Sequence, residues 1–293
     1  PKGVDLNSLL IFLRNLGFKS SSILRDFENG SIPLYDYSDS LKLNSNIKDP
    51  VTAADLTLNK LITKEFLFNY PNVKWEIVTE ENAKNKPFSK HKSDWVWFID
   101  PLDGTRDFIQ KSGEYAVHFG LIFKNKPILG MVLLPSISEI WFGVSDLGTW
   151  RENEKYPLER DEFKIFPKSE PFKIVTSKNH KNNKLELILR EMGYQNVTRM
   201  GSIGFKICSL LRDEADIYIS ISDKTSPKDW DLAAPNALLF NSKCKFTYTS
   251  GFDINYQKEN YLQEGCLIAS TLSKNDHLEV CKEVNSIINQ FIL

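Results

Sequence analysis

Apolar residues recur at helical spacing in two segments near the start of the chain. In the first, leucines three or four positions apart predict a helix over residues 6–24. In the second, an apolar stripe that includes Leu58 and Phe66 predicts a helix over residues 53–70, which Pro71 ends. The stretch between them is rich in turn-forming residues and predicts irregular structure.

From about residue 75 the pattern changes to short apolar runs separated by turn residues, which is typical of buried strands. A short connection at residues 124–127 joins two of these runs and predicts an antiparallel hairpin. We therefore expect mixed sheets, which argues against a Rossmann-type fold. The predicted strands cover residues 75–78, 95–99, 116–123, 128–134, 140–142, 174–177, 215–221, 244–248 and 266–269.

A polar stretch with three prolines, residues 149–171, is the best candidate for a boundary in the chain. We expect an N-terminal α+β half at residues 1–160 and a C-terminal α/β half at residues 161–293. Beyond the boundary strands alternate with helices, which we predict over residues 185–192 and 205–211, after Asp231 and at the C-terminus.

The composition is that of an ordinary globular protein. The 293 residues carry 37 Lys and Arg against 38 Asp and Glu, a formal net charge of −1, and 41% of them are hydrophobic. Such a chain can bury a sizeable core, which excludes disordered, collagen-like and coiled-coil classes. Without a net positive field we expect no nucleic-acid polymer as a partner, so any recognition of anions must be local.

No apolar run approaches the roughly 18 to 20 residues that cross a bilayer, and the first residues lack the layout of a signal peptide. We therefore expect no integral membrane segment and a cytoplasmic location. The cysteines are far apart in the sequence and favour reduced, buried thiols over a zinc site or a disulfide framework. They are Cys208, Cys244, Cys266 and Cys281.

The strongest chemical signal is a turn at the end of a predicted strand. Residues 95–99 lead directly into Asp100-Pro101-Leu102-Asp103-Gly104-Thr105, where the proline stiffens the turn and the glycine widens the backbone choices. Carboxylate oxygens at this density suit Mg²⁺. The hexapeptide alone is equally compatible with a solvated turn.

Further acids stand beside other predicted elements, and each has a structural explanation when taken singly. Glu80 and Glu81 fit a solvated loop, Asp55 fits a capping box, and Asp231 fits a helix cap. If these acids converge with the turn, their mutual repulsion raises their pKa values unless cations lie between them. Two or three Mg²⁺ ions held there could neutralise phosphate oxygens and activate water, which makes phosphate hydrolysis a hypothesis.

Five motifs occur in a specific order along nearly the whole chain. They are Asp49-Pro50-Val51-Thr52-Ala53-Ala54-Asp55, Thr79-Glu80-Glu81, residues 100–105, Gly201-Ser202 and Trp230-Asp231-Leu232-Ala233-Ala234. In this order the chain resembles the inositol monophosphatase superfamily of lithium-sensitive, Mg²⁺-dependent phosphatases. The segment Arg106-Asp107-Phe108 is similar to the bacterial 3′(2′),5′-bisphosphate nucleotidase branch of that superfamily, the CysQ type.

The resemblance implies a layered α/β/α/β/α sandwich, usually a homodimer, with a metal site between the two halves. It implies that Glu80, Asp100 and the Leu102 carbonyl hold one Mg²⁺, and that Asp100, Asp103 and Asp231 hold a second. Thr105, paired with Asp55, is expected to orient and deprotonate the attacking water. The substrate-side residues that it implies are Glu80, Leu102, Asp103, Gly104, Thr105, Gly201, Ser202, Lys206, Lys224 and Asp231.

The leading functional hypothesis is removal of the 3′-phosphate from 3′-phosphoadenosine 5′-phosphate, a small phosphorylated substrate. Arg106, Lys206 and Lys224 favour a substrate with two phosphates. Hydrolysis of an inositol monophosphate or another sugar phosphate is the first alternative, because fold and metal ligands do not define the leaving group. A non-catalytic module that binds a phosphorylated ligand is the second. The histidines fall in no motif, and we expect structural or surface roles for them.

Overall fold

The computed structural model of the protein describes residues 1–30, 50–84, 91–179, 182–222 and 225–291. The two N-terminal segments with helical periodicity form helix α1 (Leu6–Glu28) and helix α2 (Pro50–Asn69). The carboxylate of Asp5 accepts a hydrogen bond from the Ser8 amide at 2.8 Å and so caps the first turn of α1. Both predicted helices are confirmed, and α1 continues beyond its predicted end.

The first sheet has seven strands, which lie side by side in chain order. Strands β1 and β2 are parallel and the later neighbours are antiparallel, so the sheet is mixed as predicted. Its strands are β1 (Glu76–Thr79), β2 (Trp95–Asp103), β3 (Ala116–Phe123), β4 (Lys126–Leu134), β5 (Glu139–Val144), β6 (Gly148–Asn153) and β7 (Tyr156–Glu162).

Two short helices adjoin this sheet at the predicted acidic motifs. Helix α3 (Glu80–Lys84) follows β1, and helix α4 (Thr105–Ile109) follows β2. The hairpin between β3 and β4 turns through Lys124 and Asn125, whose φ angles of 46° and 70° suit a two-residue turn between twisted strands. The predicted hairpin is therefore confirmed.

The second sheet has five strands in the order β11, β12, β10, β8, β9, and it is also mixed. Its strands are β8 (Ile174–Ser177), β9 (Val197–Met200), β10 (Ile217–Ile221), β11 (Lys245–Tyr248) and β12 (Cys266–Ser270). The helices between and after these strands are α5 (Asn183–Glu191), α6 (Ile203–Leu211), α7 (Asp229–Asn241) and α8 (Lys274–Phe291).

These elements stack in five layers. Helices α1 and α2 cover one face of the first sheet, helices α6 and α7 fill the space between the two sheets, and α5 and α8 cover the outer face of the second sheet. Alternate residues of β2 enter different cores, since Trp97 faces α1 and α2 whereas Phe98 faces the middle layer. Burial on both faces explains the nearly continuous apolar runs of these strands. The predicted α/β/α/β/α sandwich is confirmed.

Three strands depart from the sequence expectation. Strands β6 and β7 lie within the polar stretch that we interpreted as a boundary, and β9 lies in a segment for which no strand was predicted. Strand β7 is exposed along its whole length at the edge of the sheet, so it carries no apolar run that could reveal it. Division of the chain into halves at residue 160 remains a prediction.

Helix α7 begins earlier than expected. It was predicted to start after Asp231, whereas it begins at Asp229 and contains Pro235. Asp231 instead occupies the third helical position, where its Oδ2 accepts a hydrogen bond from the Lys228 amide at 2.8 Å. Asp231 is thus a helix cap, and the cap also aims its carboxylate at the candidate site.

The described part of the chain has no helix that combines the length and apolar character needed to span a membrane. All four cysteines are buried free thiols, as predicted.

Candidate active site

Five acidic residues from four elements come together near the end of β2. Asp100 and Asp103 end β2, Glu80 begins α3, Asp55 lies in α2 and Asp231 begins α7. The negative charges of the other four all act on Asp100 and raise its pKa. The structure therefore gathers the acids that the sequence analysis singled out into one cluster, which we call the acid cluster.

The end of β2 is shaped to present two carboxylates. The register between β2 and β3 shifts between Asp100 and Asp103, so the strand bulges at this turn. The Leu102 amide donates to Asp100 Oδ1 at 2.9 Å, and Gly104 turns the chain into α4 with a φ of 86°. A residue with a side chain is strained in that left-handed conformation, so glycine suits this position.

A row of glycines brings α7 close enough to place Asp231. Gly120, Gly130 and Gly143 lie opposite one another on β3, β4 and β5, directly beneath the helix. A Cβ atom at Gly130 would lie 2.5 Å from the Ala234 carbonyl oxygen, and one at Gly143 would lie 2.6 Å from the helix backbone. The close approach of α7 to the sheet therefore depends on the absence of side chains along this row.

Burial and mutual repulsion dominate the electrostatics of the acid cluster. Burial, aided by the charges of Glu80 and Glu81, raises the pKa of Asp55 to about 8. Burial together with the nearby Asp103 raises the pKa of Asp231 to about 8, and burial first of all raises that of Asp100 well above its ordinary value. The ionised cluster thus carries more negative charge than its surroundings balance.

The residues of the acid cluster fit a divalent cation by their chemistry. They offer carboxylate oxygens, and the Oδ1 atom of Asp55 is buried without a hydrogen-bond partner among the described residues. The Lys84 ammonium lies 3.0 Å from Glu80 Oε1. Within the described ranges, no three acidic, His or Cys side chains are arranged as a formed metal site. The donor set therefore suits Mg²⁺, while the individual ligand assignments remain predictions.

Thr105 and Asp55 are not joined by the hydrogen bond that the resemblance implies. The Thr105 hydroxyl donates instead to the Leu102 carbonyl oxygen at 3.3 Å. That carbonyl is itself a predicted metal ligand. In this arrangement the Thr105 hydroxyl and the Leu102 carbonyl oxygen are therefore bonded to each other. The catalytic pair Asp55 and Thr105 remains a prediction.

The turn at Gly201 and Ser202 lies beside the acid cluster. The Ser202 hydroxyl caps α6 by accepting from the Phe205 amide at 3.0 Å, and the Gly204 amide in the first turn donates to Asp103 Oδ2 at 3.0 Å. Both amides of the turn itself donate to Glu114, so they serve the protein's own structure. The turn thus supports Asp103 from the side of the second sheet.

Lys206 and Lys224 were both predicted to line the substrate, but only Lys206 lies among the described residues. Lys206 is only 2% exposed; its ammonium donates to the Gly201 carbonyl and lies 5.7 Å from the centre of the Tyr218 ring. Burial lowers its pKa to about 8 despite the attraction of Asp103 and Asp107. Lys206 therefore supports the turn from inside, and a contact with substrate remains a prediction. Lys224 lies outside the described residues, as does Asp49 of the first motif.

The sequence analysis missed several residues that hold the site together. His118, which was assigned a structural or surface role, is fully buried with its Nε2 atom 3.3 Å from Asp103 Oδ2. Burial lowers the pKa of His118, which favours the neutral imidazole. Asp107, Glu114 and Lys178 form an ion-pair network under the Gly201 turn. No local pattern could predict these contacts, because the partners are distant in the sequence, although Asp107 belongs to the segment Arg106-Asp107-Phe108 quoted above.

The class of protein follows from this fold and from a family comparison. The profile described as "Inositol monophosphatase family" matches residues 5–289. The chain therefore belongs to the inositol monophosphatase family and is a phosphatase.

Two individual relatives show which members of the family the chain is similar to. The chain is 28% identical over 221 residues to the 3′(2′),5′-bisphosphate nucleotidase CysQ of Escherichia coli strain K12, which covers 74% of this chain and 83% of the relative. It is 29% identical over 207 residues to the CysQ of Buchnera aphidicola subsp. Acyrthosiphon pisum, covering 71% of this chain and 74% of the relative. The predicted similarity to the CysQ type is therefore confirmed.

Solved structures show the same fold at lower identity. An inositol monophosphatase from Anabaena (Nostoc) sp. PCC 7120 superposes with a TM-score of 0.72 at 20% identity and covers 97% of both chains. CysQ from Bacteroides thetaiotaomicron superposes with a TM-score of 0.69 at 19% identity, over 91% of this chain and 98% of the other. At these identities the likeness supports the fold alone.

Proposed function

We propose that this phosphatase uses Mg²⁺ to remove the 3′-phosphate from 3′-phosphoadenosine 5′-phosphate, which yields AMP and phosphate. The observation that carries the reaction is the convergence of Asp55, Glu80, Asp100, Asp103 and Asp231 on one site, in which Asp55 and Asp100 are buried. The choice of substrate is supported by the similarity to CysQ nucleotidases over about three quarters of the chain.

We expect the acid cluster to bind two or three Mg²⁺ ions. Glu80, Asp100 and the Leu102 carbonyl would hold one ion, and Asp100, Asp103 and Asp231 would hold a second. Bound Mg²⁺ supplies positive charge that keeps these carboxylates ionised, neutralises phosphate oxygens and lowers the pKa of water.

The chain's own residues then act on water and phosphate. In the proposed reaction the oxygen of a water molecule bonds to phosphorus while the bond from phosphorus to the 3′ oxygen breaks. Thr105 and Asp55 orient that water, and Asp55 takes its proton, while the leaving oxygen takes a proton from solvent. Without cations, burial raises the pKa of Asp55 to about 8, and positive charge nearby would favour the ionised carboxylate that takes the proton.

An inositol monophosphate or another sugar phosphate is the second candidate substrate. Membership of the inositol monophosphatase family keeps this candidate in consideration, because a shared fold does not define the leaving group. Arg106 is exposed beside the site and donates to the Asn179 carbonyl at 3.0 Å. A cation placed there suits a substrate that carries a second phosphate.

Phosphate release at saturating Mg²⁺ tests the proposal. The substrates to compare are 3′-phosphoadenosine 5′-phosphate, inositol 1-phosphate and fructose 1,6-bisphosphate, each with and without lithium. We expect the highest kcat/KM for the nucleotide and inhibition by lithium. A preference for inositol phosphate would replace the substrate while keeping the reaction, and turnover that survives removal of divalent cations would contradict the role of Mg²⁺.

A further inference from the structure

Glu114, in the loop that leads into β3, holds the Gly201 turn. The Gly201 amide donates to Glu114 Oε2 at 2.6 Å, and the Ser202 amide donates to the Glu114 backbone carbonyl at 2.9 Å. A single residue thus accepts both amides of the turn. Glu114 comes just before β3, so it joins the end of the first sheet to the start of α6.

Lys178 links the Glu114 carboxylate to a second carboxylate, that of Asp107. Lys178 Nζ lies 2.8 Å from Glu114 Oε2 and 2.6 Å from Asp107 Oδ1. Asp107 is fully buried, and it also accepts from the Ser112 hydroxyl at 2.9 Å and the Asn179 amide at 2.5 Å. We call Asp107, Glu114 and Lys178 the ion-pair clamp.

The clamp is connected to the acid cluster on two sides. On one side, Asp107 lies in the same short helix, α4, as Thr105. On the other side, the turn held by Glu114 begins α6, whose Gly204 amide donates to Asp103. The packing leaves no slack, since a Cβ atom at Gly201 would lie 2.6 Å from the Glu114 carbonyl oxygen.

We propose that the ion-pair clamp positions Asp103 and the Gly104–Thr105 turn for catalysis, with Lys178 as its central positioning residue. This inference rests on the proposed phosphatase site. Neither carboxylate of the clamp is a predicted metal ligand, and Lys178 bridges them without belonging to the acid cluster. Loss of the ammonium leaves two carboxylates facing each other, so they repel and the turn moves away from Asp103.

The test replaces Lys178 and a matched lysine elsewhere. Lys168 also bridges two carboxylates, Asp213 and Asp216, at the opposite end of α6 from the Gly201 turn. We expect Lys178→Met to lower kcat/KM about 10- to 100-fold, because catalytic groups misplaced by about 1 Å lose activity on that scale. Lys168→Met should keep kcat/KM within twofold of wild type. We expect it to lower the melting temperature by about as much as Lys178→Met does. Lys178→Arg should restore most of the activity.

Hydrogen exchange of the Gly201 and Ser202 amides provides a measurement that does not depend on turnover. We expect Lys178→Met to accelerate their exchange at least tenfold, with no such effect of Lys168→Met. Glu114→Gln, which keeps an acceptor oxygen but removes the charge, should act in the same direction and serves if Lys178→Met does not fold.

The outcomes separate the clamp from the proposed function. Activity of Lys178→Met equal to that of Lys168→Met would overturn the clamp. Lost activity with unchanged amide exchange would also overturn it, because Lys178 would then act by touching the substrate. If the wild-type protein hydrolysed no phosphate ester, the proposed function would fail, and unchanged amide exchange would still refute the clamp.

Discussion

Substitution of Gly130 tests whether the glycine row places Asp231. An alanine Cβ at this position would lie 2.5 Å from the Ala234 carbonyl oxygen and 2.7 Å from the Ala237 Cβ. Ordinary contact begins near 3.4 Å, so α7 must retreat by about 0.9 Å, the difference between 3.4 and 2.5 Å. The shift acts on Ala234, one helical turn from Asp231, and therefore reaches the acid cluster.

The magnitude follows from overpacking and from misplacement of a catalytic group. Gly130→Ala should lower the free energy of unfolding by about 1 to 3 kcal/mol, which is typical of one excess methyl group in a packed core. A retreat of about 1 Å by Asp231 should lower kcat/KM about 10- to 100-fold. Both effects arise from the same displacement of α7.

Guanidinium unfolding and steady-state phosphate release measure the two effects separately. Activity is measured at 25 °C under conditions in which circular dichroism confirms that the variant is folded. Gly17→Ala is the control, because its Cβ meets the flexible end of Met131 at 3.3 Å and Ile140 at an ordinary contact distance of 3.6 Å, and α1 gains helix propensity. We expect Gly17→Ala to be neutral or slightly stabilising, with full activity.

Wild-type stability and activity of Gly130→Ala would refute this reasoning. In that case the helix would accept a methyl group without moving, and the glycine row would not determine the position of Asp231. Loss of stability alone, with unchanged kcat/KM, would separate packing of the helix from placement of its carboxylate.

Three further predictions concern the site, the fold and the assembly. Asp55→Asn should lower kcat at least 100-fold, because an amide cannot take the proton of water, and stopped assays of phosphate release with the folded variant would reveal unchanged turnover if the assignment is wrong. Buried His277 has its ring nitrogens 2.8 Å from Ser270 Oγ and 2.9 Å from Thr247 Oγ1, and burial, aided by Lys245, lowers its pKa to about 4 from 6.5. The unfolded chain therefore binds this proton more readily, so the contribution of His277 to stability should fall by about 2 kcal/mol as pH drops from 7 to 5. His277→Gln should remove that part of the fall in urea unfolding, and equal pH slopes for the two proteins would contradict it. The homodimer implied by the resemblance should appear in size-exclusion chromatography with light scattering, where a monomer at micromolar concentration would count against it.

Local patterns were sufficient for much of the fold. Spacing of apolar residues predicted α1 and α2, because a helix that buries one face must repeat its apolar residues every three or four positions. Continuous apolar runs predicted β2, β3 and β4, since both faces of those strands are buried. The same logic failed for β7, whose residues are all exposed at a sheet edge.

The acids of the candidate site could be recognised in the sequence because they stand at the ends of predicted strands and helices, where functional side chains often lie. Their convergence was only a hypothesis until the tertiary structure placed four other charges around Asp100. The sequence also did not determine whether the Lys206 ammonium faces the substrate side or the interior. Its burial depends on how α6 packs on the second sheet.

The sequence by itself determined a mixed α/β class, the main helices and strands, and the acidic residues from which a phosphatase site could be assembled, whereas the layered arrangement was implied by the resemblance. Only the tertiary structure decided that three glycines on neighbouring strands admit α7, and that Asp107, Glu114 and Lys178 support the Gly201 turn. The physical reason is that periodicity and capping act between residues a few positions apart. Close packing and ion pairing instead join residues that the chain separates by tens of positions, so they become readable only once the layers are in contact.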